Sequence, residues 1–187
     1  MLSFPLPLRR PLVAVLLCGA LLAGTTACGG DDKDAAADAS ASPGASTTAE
    51  KQKLAKTRFV ANAGIAAGAT YQWIVKPWKA GKFKKDADGR KFALVKAGLA
   101  GALTYNRLKA AKKNAEGDPT LAKAVAPLTS GIDALKDLPG KLRKGEGTDS
   151  VASSFDDIIN KVKGAGKDAG AEVKDKVPSA SELRNAG

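Results

Sequence analysis

From about residue 48 onward, apolar residues recur at the three- and four-residue spacing of a helix, and no stretch keeps the two-residue alternation of a half-buried strand. The clearest stripe is Val151, Phe155, Ile158, Val162, Ala165 and Ala169. It predicts an amphipathic helix opening at Thr148 or Asp149 and weakening beyond Gly170, where only Val173 and Val177 continue it. The last residues, 178–187, hold little to bury and are expected to form a frayed tail.

Two earlier segments are helical by a different sign. Thr47 and Glu50 have the spacing of a capping box, so a first helix starts at Thr47 or Thr48. It can run to Val75, because Pro77 disfavours helical geometry at Lys76. Its middle is nearly all Ala and Gly, and Gly64 and Gly68 fall on one face, where a neighbouring backbone can come close. A membrane span is the competing reading. Arg58 and Lys76 bracket only about 17 residues, short of the ~20 a span needs and poor in Leu, Ile and Phe. A close-packed core helix fits better.

A second, equally small-rich helix is predicted from Gly89 or Arg90 to Ala115, stopped by Gly117 and Pro119. The two make a natural antiparallel hairpin. Asp118 and Pro119 cap and start a third helix with Leu121, Val125, Leu128, Ile132 and Leu135 inward, kinked or split at Pro127. Pro139-Gly140 reads as a further break before a short basic piece at 141–144. The expectation is an all-α fold, an irregular four-helix bundle over residues 48–177 with a thin core.

Ahead of the helices, residues 1–27 carry Arg9 and Arg10, then an apolar run, then small residues, which is the layout of a secretory signal peptide. The Arg pair followed by Pro11 and Leu12 is compatible with twin-arginine export as well. Thr26, Ala27 and Cys28 resemble the lipobox of bacterial lipoproteins, although Thr25 departs from its usual aliphatic residue. The resemblance implies cleavage before Cys28 and lipidation of its sulfur. The cysteine count agrees. Cys18 would leave with the signal peptide, so Cys28 would have no disulfide partner. An ordinary signal peptide with Cys28 as an incidental thiol is the alternative. Residues 28–47 then form a polar tether with Asp31, Asp32, Asp34 and Asp38, too poor in apolar residues to fold. About 20 such residues span roughly 25 Å, enough to hold a domain clear of lipid headgroups. The expected location is the extracellular face of the cell membrane, by lipid anchor.

Charge is unevenly placed. Residues 51–113 hold 16 basic residues against Asp86 and Asp88, whereas 114–187 hold 11 basic and 12 acidic residues. The densest part connects helices one and two, where Lys76, Lys79, Lys82, Lys84 and Lys85 are interleaved with Trp78 and Phe83. Lysines with rings at their boundary suit an anionic surface, such as anionic lipid or teichoic acid. Phosphate charge alone would attract nucleic acid too, but none is expected as a partner outside the cell. The other reading is a solvated hinge whose two rings pack back on the bundle.

The composition excludes much chemistry. There is no His, and the one Met is the initiator, so Ser-His-Asp and Cys-His catalysis are out and the usual ligands for zinc, copper or c-type haem are missing. Asp156-Asp157 are adjacent on a helix and point apart, so they do not converge as a catalytic pair. No phosphate-loop spacing occurs at Gly145-Glu146-Gly147 or Gly164-Ala165-Gly166. No catalytic residue, metal ligand or cofactor is expected. Tyr71 and Tyr105, each within a small-residue helix, are candidates for lining a cavity between helices one and two.

The Thr26-Ala27-Cys28-Gly29-Gly30 start, the tether, and the segments at 71–81 and 103–109 resemble small lipoproteins of high-GC actinobacteria such as Streptomyces. Those segments carry no known chemistry, so the resemblance implies location rather than activity. The expected function is a non-catalytic envelope lipoprotein, structural or polyanion-binding through its basic half. The alternative is a carrier of a small apolar or haem-like ligand around Tyr71 and Tyr105.

Overall fold

The computed structural model describes residues 47–185. The signal peptide, Cys28 and nearly all of the tether lie outside them. The fold is an all-α helical bundle, and among the described residues no strand is present.

The first helix, α1 (Thr48–Thr70), opens on the expected capping box: Glu50 N–H donates to Thr47 Oγ1 at 3.2 Å, and Thr47 N–H to Glu50 Oε2 at 2.8 Å. It does not end before Pro77. A π-helical turn (Tyr71–Val75) carries the chain straight into a short α2 (Lys76–Lys79). Lys76 N–H donates five residues back, to Tyr71 O. That wider turn makes room for a proline ring that would crowd the carbonyl of an ordinary turn, and Pro77 has no N–H to lose.

The helix α3 (Arg90–Ala115) returns antiparallel to α1 and forms with it the expected hairpin. Alanines fill the seam, among them Ala63, Ala66, Ala97 and Ala100, all buried. Within it Thr70 and Thr104 are buried and their hydroxyls lie 3.0 Å apart, with Thr104 also donating to Ala66 O at 3.4 Å. Changing Thr104 alone to Val strands the other hydroxyl and should cost about 1–2 kcal/mol. The double change to Val should cost less than the two single changes added, with a coupling of about 1 kcal/mol in a denaturation double-mutant cycle. Strict additivity would show that the pair does not act as a unit.

Around this hairpin lie α4 (Pro119–Val125), a 3-10 turn (Ala126–Leu128) at Pro127, and α5 (Thr129–Ala134), which together are the expected split third helix. Asp118 caps α4, accepting from Leu121 N–H at 2.9 Å, and is buried. Lys56 Nζ sits 3.7 Å from its other oxygen and donates to Ala169 O at 2.9 Å, tying α1 to two helix ends of the charge each favours. Gly117 does not adopt a left-handed stop. A Cβ there would press on Ala55, so glycine serves close approach to α1.

Pro139-Gly140, expected to break the chain, instead lies in the first turn of α6 (Leu138–Lys144), where proline lacks nothing a helix needs. The helix α7 (Thr148–Asp168) buries the expected Val151, Phe155, Ile158 and Val162. It stops at Gly170, whose φ of 66° lets Ala171 N–H reach back to Gly166 O at 2.7 Å.

Beyond Gly170 the structure departs furthest from the expectation. The chain runs extended over 171–179 as a strap, with Ala171, Val173 and Pro178 buried, then turns into α8 (Ala180–Arg184). The expected frayed tail is therefore built over its described residues, 178–185. Ser179 and Glu182 form a second capping box, and Leu183 is buried. The Ser179 backbone N–H, then its hydroxyl, hold the Glu182 carboxyl below its usual range, with Lys176 and Arg107 adding to the effect. The strap, not helix two, is what Gly64 and Gly68 admit. Lys176 N–H donates to Gly64 O at 2.8 Å, and a Cβ at Gly68 would fall on the backbone of Lys176. With α3 on one side and the strap on another, α1 is buried continuously from Ala66 to Thr70. That enclosure explains why the second half of α1, from Phe59 to Thr70, carries no charged residue, and none of the described helices is long and apolar enough to cross a membrane.

Candidate functional site

The connection from α2 to α3 is a succession of tight turns, with Gly81 N–H donating to Trp78 O at 2.9 Å, Lys84 N–H to Gly81 O at 3.1 Å and Ala87 N–H to Lys84 O at 3.1 Å. Two rings fasten it. Phe83 is buried in the core, and Arg90 Nε donates to its carbonyl at 3.0 Å. Trp78 is half-buried, packs against the core, and its indole N–H donates to Asp149 Oδ1 at 2.6 Å at the start of α7. Of the two readings the sequence offered, one placed both rings on an anionic-surface interface and the other packed them back on the bundle. The structure follows the second and turns them inward, because a connection this short reaches the core only with its apolar side chains.

The five lysines divide from the rings accordingly. Lys76, Lys79, Lys82, Lys84 and Lys85 are all exposed, and none has a carboxylate within ion-pair distance among the described residues. The ion pairs among the described residues lie elsewhere: Lys56–Asp118, Lys112–Asp133 and Lys163–Asp175. The basic end of the bundle is thus an uncompensated cluster held on fixed backbone.

Beside it, a groove of about 410 Å³ runs between the π turn with α2 and the start of α3. Its apolar lining includes Trp73, Pro77, Ala80, Phe92 and Ala93, and its charges are Lys76, Lys82, Lys96 and Asp88. Phe92 is 65% exposed, unusual for an aromatic ring in a packed helical domain. Lys96 Nζ lies over two rings, 4.2 Å from the centroid of Phe92 and 4.9 Å from that of Trp73. The Trp73 indole N–H is buried and has no acceptor among the described residues. Trp73, Phe92 and Lys96 were not singled out from the sequence. A signal existed: Trp73 and Pro77, like Phe92 and Lys96, are four apart on helices, and Phe92 falls off any inward stripe.

Tyr71 and Tyr105 are not brought together. Tyr71 is half exposed and lines a cavity of about 330 Å³ with Asp156 and Lys163 of α7. Tyr105 packs at the edge of the core, with Lys109 Nζ 5.5 Å from its ring centroid. The seam between them is occupied by the alanines and the threonine pair, because small side chains draw the two backbones close rather than leaving space. Asp156 is half-buried and Asp157 exposed. Among the described residues no group of three or more His, Cys, Asp or Glu side chains comes together. No protein-family model, curated protein or solved structure matches the chain.

Proposed function

We propose that this chain is an exported, lipid-anchored and non-catalytic protein of the cell envelope, whose basic end binds a polyanionic surface such as anionic lipid or teichoic acid. The observation that supports this reading most is the cluster of five unpaired lysines on a connection fixed by Phe83 and Trp78. A fixed backbone loses little further entropy on binding, and clustered charge of one sign sets up a field that gathers polyanions. Each lysine near an anionic surface contributes on the order of 1 kcal/mol.

Changing Lys82, Lys84 and Lys85 together to Gln should therefore weaken binding to anionic vesicles or teichoic acid on the order of a hundredfold. Changing Lys123, Lys136 and Lys161, which are exposed elsewhere on the bundle, removes the same net charge and should alter binding much less. Binding should fall steeply with salt, since screening reaches about 8 Å at physiological ionic strength. A protein that ignores both polyanions at low salt, or equal losses in the two triple variants, would refute the proposed role of this end. Trp78, already bonded to Asp149, should report little in fluorescence.

A further inference from the structure

The groove between the π turn and α3 differs from the lysine cluster in having a floor. A solvated charge patch needs no apolar walls, yet here Phe92 stands 65% exposed opposite Trp73, with Lys96 held between the rings. Lys76 and Lys82, both exposed, line the groove as well, and Asp88 is the sole acid in the lining. Its volume of about 410 Å³ lies within the range of small-ligand sites, roughly 300–1,000 Å³. The Trp73 N–H is buried and has no acceptor among the described residues.

Apolar walls beside cationic side chains match one kind of molecule: an acyl chain ending in a phosphate or other anionic head. A purely apolar ligand would leave three ammonium groups uncompensated, and a free phosphate would leave Phe92 and Trp73 without a contact. We propose that this groove binds a single anionic phospholipid, with its head at Lys76, Lys82 and Lys96 and the first part of a chain against Trp73, Pro77 and Phe92. The assignment deepens the polyanion reading by giving the basic end a discrete lipid site, and rests on it for the presence of lipid nearby.

The test uses the exported chain carrying Cys28→Ser, titrated calorimetrically with dihexanoylphosphatidic acid below its micelle concentration. One lipid per chain is expected to bind, with the tryptophan emission shifting as Trp73 gains a neighbour. Dihexanoylphosphatidylcholine, which has the same chains and no net charge, should bind at least about tenfold more weakly, and inorganic phosphate should bind no better than that. Phe92→Ser removes a large apolar wall from a solvent-exposed position, so folding should survive while phosphatidic acid binding falls about tenfold or more. Lys96→Gln should lower it about fivefold or more by removing the charge at the head. Equal binding of the phosphatidylcholine, equal binding of inorganic phosphate, or no loss in Phe92→Ser and Lys96→Gln would each overturn the site. The two proposals fail separately. Teichoic acid binding without uptake of the short-chain lipid removes the groove alone, and uptake without teichoic acid or vesicle binding removes the surface reading alone.

Discussion

Replacing Gly68 by leucine is expected to destabilise the folded chain by about 3 kcal/mol, at the upper end of the ordinary overpacking cost. The obstacle is backbone, not a flexible side chain: a Cβ at Gly68 would overlap the carbonyl group of Lys176 and the nitrogen of Val177. Backbone cannot rotate aside, so either α1 shifts or the strap leaves. Leaving breaks the Lys176–Gly64 hydrogen bond, strains the Lys163–Asp175 ion pair and exposes Val173. For a domain of this size the melting temperature should fall on the order of 10 °C. Trypsin should then cut at Lys174 and Lys176 at protein concentrations and times that leave the parent intact. Gly164→Ala is the matching control, because nothing lies within 4 Å of the Cβ it would add. It should gain up to about 1 kcal/mol from helix propensity. If Gly68→Leu likewise holds or raises the melting temperature, the strap does not occupy the face of α1 and its packing against that helix is wrong.

Cys28→Ser is expected to move the protein from the membrane fraction to the soluble fraction almost completely. Under the proposed anchor, that sulfur carries a diacylglycerol, and two acyl chains separate stable anchoring from the marginal, reversible binding a single chain gives. Cys28 lies outside the described residues, and among those that are described no helix can replace it as a span. The basic end should retain only weak, salt-sensitive attachment, because about 1 kcal/mol per lysine is screened in a way that buried acyl chain is not. The decisive measurement is fractionation in low and high salt, with globomycin-type inhibition of signal cleavage as a second readout. A serine variant that stays membrane-bound in high salt at parental levels would sink the anchor.

The elements of this fold were largely readable in the sequence because their ends are set by local chemistry. Thr47 with Glu50, Asp118 with Pro119, and the Pro127 interruption each act within one turn of chain, so their residue types suffice. The stripe from Val151 to Val162 needs only a core somewhere on its inward side. Where the outcome depended on a partner distant in sequence, local chemistry gave no answer. Gly64 and Gly68 announce a close approach, but the backbone that takes it lies more than 100 residues later. Residues 178–187 look unfit to pack until Leu183 finds a place against the bundle. Pro77 looks like a stop until a π turn, stabilised by the burial of Ile74 and Val75, lets the helix pass it.

The same division governs the candidate site. The sequence determined that the lysines at 76–85 would be crowded, since charge density along a chain survives any fold, whereas their lack of carboxylate partners was decided by the packing. It did not determine which rings would accompany them. Trp78 and Phe83 neighbour those lysines in sequence, yet burial was available to them and exposure costs apolar surface, so they turned to the core. Trp73 and Phe92 belong to separate helices and became groove walls only when α1 and α3 closed into a hairpin. Tyr71 and Tyr105 were parted by that closure too, because alanine and threonine seams bring backbones together and leave no room between them.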